Sequence, residues 1–178
     1  MSEPGATEPA VTGFWRDGAY CVALFPSGEA QMLRQCAALL AEMLSGGLDR
    51  DDPAVARLFP DAYRASAHDA TEFRELTEGE LTRAKLRGAA ELLSRVPAGG
   101  GEVRLDEPGA EVWLRSLNDL RLILGARLDV RADTDLLAEM DDAVMRNPTS
   151  PRVVQLLWYL YLGELQASLL SALTGRPV

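Results

Sequence analysis

Between Met32 and Leu44 the apolar side chains Met32, Leu33, Cys36, Leu39, Leu40, Met43 and Leu44 return at i, i+3, i+4 and i+7. A chain with that spacing buries them together only as one stripe of an amphipathic helix. The same period recurs at Trp113, Leu117, Leu120, Leu124 and Leu128. Helix-boundary residues divide the chain between such stripes. Ser27 stands where the first helix needs its N-cap, and Gly46 and Gly47 end it. Asp52-Pro53 opens a short helix that Pro60 closes. A second short helix is expected over 69–76, and Thr77 with Glu80 has capping-box spacing for a helix reaching about Val96. Asp106 and Pro108 introduce a helix through about Leu128. Asp133 starts another that Asn147-Pro148 breaks after Met145, and Ser150-Pro151 starts the last, which ends near Gly175. Strand character is confined to 19–25, which stops at Pro26, and to Val103 and Leu105, which alternate with charges and could pair with it. The predicted fold is mainly α, with about six helices in one bundle-like domain and a small two-stranded β ribbon. Residues 14–178 are expected to form this single helical domain, after a disordered lead at 1–13 that holds Pro4 and Pro9 and no apolar core.

The last helix is the most apolar. From Val153 to Leu162 only Gln155 interrupts the run, but Glu164, Gln166 and Ser168 come too early for a membrane span of about 20 apolar residues. A helix apolar on nearly every side is expected as a central core element, and in second place as the seam of a homodimer.

Charge and cysteines narrow the function. The chain carries 18 basic and 27 acidic residues, a net charge of −9, and no basic arm stands apart. Solitary DNA binding is therefore disfavoured, and a protein or small-molecule partner is favoured. Two cysteines do not make a secreted disulfide scaffold, and the N-terminal segment is not a secretory signal, so the cytoplasm is expected. Cys21 and Cys36 are a candidate redox pair. If the first helix folds back along the strand after Pro26, the two thiols lie at similar depth. The alternative is a pair of small buried hydrophobes with dulled reactivity. His68, the lone histidine, stands in a polar stretch read as a solvated loop, and no ligand cluster suits a metal. Gly99-Gly100-Gly101 lacks the lysine of a phosphate loop. No cofactor and no catalytic residue is expected, and the chain is read as a non-enzyme.

Two constellations remain. Arg83, Lys85 and Arg87 follow a supposed tight turn at Gly79, a helix-turn-helix outline, but Glu72, Glu75, Glu78 and Glu80 crowd that turn and would repel phosphate. Asn118, Asp119 and Arg121 lie on a helix that is apolar on several sides, so these polar groups must find partners. They belong either to a structural hydrogen-bond or ion-pair network or to a ligand site.

The ordered succession of Leu58-Phe59-Pro60-Asp61-Ala62-Tyr63, Glu72-Phe73-Arg74, Leu81 with Lys85, then Trp113 through Arg121, Leu124-Gly125 and Arg127-Leu128 resembles an actinobacterial family of former domain-of-unknown-function proteins. That family includes the oxidative-stress transcription regulator AosR, and the similarity runs from about Phe14 to Leu173. The resemblance implies a cytoplasmic regulator of the oxidative-stress response that acts on transcription, with a cysteine pair as sensor in AosR. Here Cys21 and Cys36 depart from the closely spaced CxxxC pair of that sensor. The function expected is transcriptional regulation through a protein partner, RNA polymerase or a sigma factor. The alternative is a helical adaptor domain with no redox or DNA-binding role.

Overall fold

The computed structural model describes residues 13–60 and 67–176. A short hairpin comes first: β1 (Trp15–Asp17) and β2 (Tyr20–Phe25) are joined by a two-residue turn. Gly18 takes φ 60° at the first of those residues, where a II′ turn favours glycine. α1 (Ser27–Ser45), α2 (Pro53–Leu58) and α3 (Ala67–Arg95) follow. β3 (Gly101–Leu105) then returns to the sheet, and α4 (Glu107–Arg127), α5 (Leu136–Arg146) and α6 (Pro151–Thr174) complete the mainly α fold. The sheet order is β1-β2-β3, antiparallel throughout, with Cys21 opposite Leu105 and Ala23 opposite Val103.

The expected pairing of 19–25 with Val103 and Leu105 is therefore present, but the ribbon has a third strand. Trp15–Asp17 is three exposed residues, too short to show a period-2 pattern. The supposed turn at Gly79 does not form: α3 runs unbroken through it, and neither Thr77 nor Glu80 begins a helix. One interior glycine costs a helix only ~1 kcal/mol, which the surrounding Glu, Leu, Ala and Arg residues and tertiary packing offset. His68 accordingly lies within the span of α3 and not in a loop. α5 starts later than expected, where the Asp135 carboxylate accepts from the N–H groups of Leu137 and Ala138. Asp52, Asp106 and Ser150 cap α2, α4 and α6 as their sequence contexts indicate, whereas Pro26 and not Ser27 occupies the N-cap of α1. The disordered lead expected at 1–13 lies outside the described residues except for Gly13.

The core gathers around Trp113, fully buried on α4, with Phe14 edge-on at 5.6 Å and Phe25 tilted at 6.2 Å between ring centroids. Leu33, Ala37 and Leu40 of α1, Ala89 and Leu92 of α3, and Leu162, Leu165 and Leu169 of α6 close it. A smaller cluster, Leu128, Ala143, Val153 and Leu156, fixes α5 to α6. At the α3–β3 bend, a Cβ on Gly100 would stand 2.6 Å from the carbonyl oxygen of Phe25, so only glycine lets this bend approach the β2–α1 corner.

Two helix ends are capped from elsewhere in the chain. Arg34 of α1 donates to the carbonyls of Leu93 and Val96 at the end of α3. Arg16 of β1 donates to those of Ala172 and Leu173 at the end of α6. A cation at these carbonyls also complements the helix dipole. Among the described residues α6 is covered on one face. Val153, Leu156, Leu162, Leu165, Leu169 and Ala172 are buried, while Val154, Leu157 and Leu170 are exposed. By length and composition α6 could cross a membrane. Its buried face instead packs on α4, α5 and the sheet, so the all-round coverage expected of a core helix is met on one side.

Candidate functional site

α3 and α4 cross at Gly88 and Ser116. A Cβ on Gly88 would meet Ser116 Oγ at 2.3 Å, so glycine sets how closely the two helices approach. Ser116 turns its hydroxyl to the Val112 carbonyl at 2.9 Å. On each helix the residue three positions from this crossing is charged, and the two meet: Lys85 Nζ donates to Asp119 Oδ1 at 2.6 Å. The side chains are 16% and 9% exposed. Burial pushes the Asp119 carboxyl above the usual carboxylate range, and the Lys85 ammonium offsets part of that rise. Lys85 also stands 5.7 Å from the centroid of the Phe59 ring.

Beside this pair opens a cleft of about 560 Å³. Leu81, Ala84, Val112 and Leu114 form apolar wall, and Arg87, Arg115, Asn118 and Gln166 bring polar groups to it. The basic helix and the polar cluster of the sequence thus contribute to one place: Lys85, Arg87, Asn118 and Asp119 all line the cleft. Arg83 is exposed and is not among its lining residues. Arg121 stands behind. Its Nη1 donates to Gln166 Oε1 at 2.8 Å, and its guanidinium lies 5.3 Å from the Tyr159 ring centroid. The Nε of Arg121, like the Nε1 of Trp113, has no hydrogen-bond partner among the described residues. Gln166 was missed in the sequence because it is one polar residue in the most apolar helix. Gly88 carried a signal, an isolated glycine inside a helical stretch, which often marks close packing.

The cysteines sit apart from this cleft. Cys21 is buried in β2, opposite Arg16 and Leu105. Cys36 is half-buried on α1 and lines a second cavity of about 460 Å³, with Leu39 and Met43 of α1, Leu120 and Ile123 of α4, and Leu162 of α6. Both thiols are free. Burial raises both above the ordinary thiol value, with Arg16 opposing the rise at Cys21. Less thiolate forms at neutral pH in consequence. Among the described residues no group of three or more His, Cys, Asp or Glu is arranged to hold a metal ion.

A family comparison covers nearly the whole chain. The family described as Domain of unknown function (DUF2017) matches residues 11–173. The chain belongs to the DUF2017 family. Two curated relatives are named oxidative stress regulator AosR, one from Mycobacterium bovis and one from Mycobacterium tuberculosis H37Rv. Each is 39% identical over 92 residues, which is 44% of this chain and 42% of the relative. The match thus spans less than half the length of either relative. No solved structure matches this DUF2017 chain.

Proposed function

We propose that this chain is a cytoplasmic, non-enzymatic regulator of the oxidative-stress response that acts on transcription through a protein partner, RNA polymerase or a sigma factor. The observation that carries the reading is the 39% identity to two proteins named oxidative stress regulators. The surface supports a protein partner over naked DNA. Net charge is −9, and of Arg83, Lys85 and Arg87 on α3, Lys85 is already paired with Asp119. Apolar side chains stand exposed on the last two helices, Leu137, Val144 and Met145 on α5 and Val154 and Leu157 on α6, where a partner's apolar surface could cover them.

The test is affinity capture from an actinobacterial lysate with and without peroxide, using the unmodified chain and a Val154→Glu/Leu157→Glu variant. Both substituted side chains are exposed, so the fold is expected to survive. Polymerase or sigma-factor subunits should be retained by the unmodified chain and lost with the variant. Their absence in both conditions sinks this reading and leaves the helical adaptor. Light scattering of the two proteins separates a second copy of the chain from a different partner on the same face.

A further inference from the structure

The cleft between α3 and α4 has the size and lining of a ligand site, and its charges select the ligand. Its volume, about 560 Å³, falls within the ~300–1,000 Å³ common for small-molecule sites. In a chain of net charge −9, this lining carries Lys85, Arg87 and Arg115 against one carboxylate, Asp119. Asp119 is already held by Lys85, and that bond uses one of the three ammonium donors. Arg87 makes no ion pair or hydrogen bond with the described residues. The carboxylate paired with Arg115, Glu111, is 3.7 Å away, beyond hydrogen-bond reach, and both side chains are largely exposed. The Asn118 amide, exposed at the same cleft, is likewise without a partner among the described residues. Behind these donors the Leu81, Val112 and Leu114 side chains offer apolar wall.

Planar guanidinium groups whose N–H donors make no hydrogen bond with the described residues suit a carboxylate, which they bind through paired N–H donors. The apolar walls require that the carboxylate be carried on an apolar body. A bare inorganic anion would satisfy the arginines and leave the walls wet. We infer that this cleft binds a small organic anion, a carboxylate on an aromatic or aliphatic body. Arg87 and Arg115 take the carboxylate, Asn118 adds an amide donor, and Leu81, Val112 and Leu114 cover the body. Arg121 is a positioning residue, holding Gln166 at the cleft wall. The exposed apolar side chains of α5 and α6 lie outside this lining, so a failure here leaves the regulatory reading standing.

The experiment titrates phenylacetate, benzoate and indole-3-acetate into the full chain by calorimetry and by amide-resolved NMR. Phenylacetamide and inorganic phosphate serve as the neutral and bare-anion comparisons. At least one carboxylate should bind at millimolar concentration or below and shift the side-chain amide signals of Asn118 and Gln166. Phenylacetamide and phosphate should bind at least about tenfold more weakly than that carboxylate. An Arg87→Ala/Arg115→Ala variant removes two exposed side chains and should keep the thermal midpoint while losing at least about tenfold in affinity. The inference is overturned if no carboxylate shifts those signals at millimolar concentration, if phenylacetamide or phosphate matches the best carboxylate, or if the folded double variant binds as the parent does.

Discussion

Replacing Lys85 with methionine isolates the charge pair at the α3–α4 contact. Asp119 is 9% exposed and Lys85 16%, and the Lys85 cation eases the carboxyl's burial. Removing one partner of a buried pair strands the other and costs ~3–5 kcal/mol, whereas exposed pairs are worth only ~0.2–1 kcal/mol. Because the ammonium keeps some contact with solvent, the expected loss is near the lower figure, about 3 kcal/mol at neutral pH. That is a large share of the ~5–15 kcal/mol that holds a domain together. Lys85→Met/Asp119→Leu removes both charges and should come back to within about 1 kcal/mol of the parent. The pH dependence has a definite sign. The folded Asp119 carboxyl titrates above its unfolded value, and loss of Lys85 raises it further. Between those two values the folded state holds the extra proton, so stability falls as pH rises through the window. The Lys85→Met deficit should therefore be large at neutral pH and shrink in mild acid. Urea unfolding followed by tryptophan fluorescence and by circular dichroism measures both arms. A neutral-pH loss below about 1 kcal/mol, or a deficit that ignores pH, would refute the buried, coupled pair.

Gly88→Ala should cost about 1–3 kcal/mol despite alanine's better helix propensity, because its Cβ would strike Ser116 Oγ. Adding Ser116→Ala should recover most of that loss in the same urea assay, and no recovery would mean that the contact does not set the helix spacing. Tyr161 donates to Glu29 Oε2 at 2.7 Å, so Tyr161→Phe should lose about 1.5 kcal/mol by thermal unfolding. Burial, with Glu29 beside it, holds the Tyr161 phenol well above its usual value. The folded state keeps this proton longer, so the parent should lose stability as pH climbs past ~10, a component absent from the Phe variant. In thiol labelling, half-buried Cys36 should react slowly and first, with a rate still climbing above the ordinary thiol range, and Cys21 should react only on unfolding. Thiol counting after mild peroxide tests the redox pair, and two thiols that stay free remove it.

Local signals in the sequence were enough for most helix starts, since an Asp or Ser before a Pro acts within one turn. They were enough for the Trp113 face as well, because five apolar residues at helical period leave few alternatives. The break at Gly79 was misjudged for a related reason. Glycine and a capping-box spacing are local preferences worth ~1 kcal/mol each, and packing of α3 against α1 and α4 outweighs them. The site was half legible. Asp119 stood out as a polar residue on an apolar helix, and Lys85 as a member of the basic stretch with Arg83 and Arg87, but 34 positions separate them. Only the crossing at Gly88 joins them, and no spacing rule within either helix encodes it. The open side of α6 was hidden by its own composition: an apolar run shows that a helix avoids water, and not whether other elements suffice to cover it.

The arginine of β1 that reaches the end of α6 has a consequence for how the chain comes off the ribosome. Phe14 N–H donates to Ser168 Oγ at 3.0 Å across 154 positions, and Arg16 reaches the Leu173 carbonyl across 157. Both acceptors belong to α6, so the first hairpin stays incompletely docked until that helix has been synthesised. Closure of the fold is in that sense a late event. A nascent chain halted before α6 should hold its hairpin loosely, with the Trp113 core open along the side where Leu162, Leu165 and Leu169 belong.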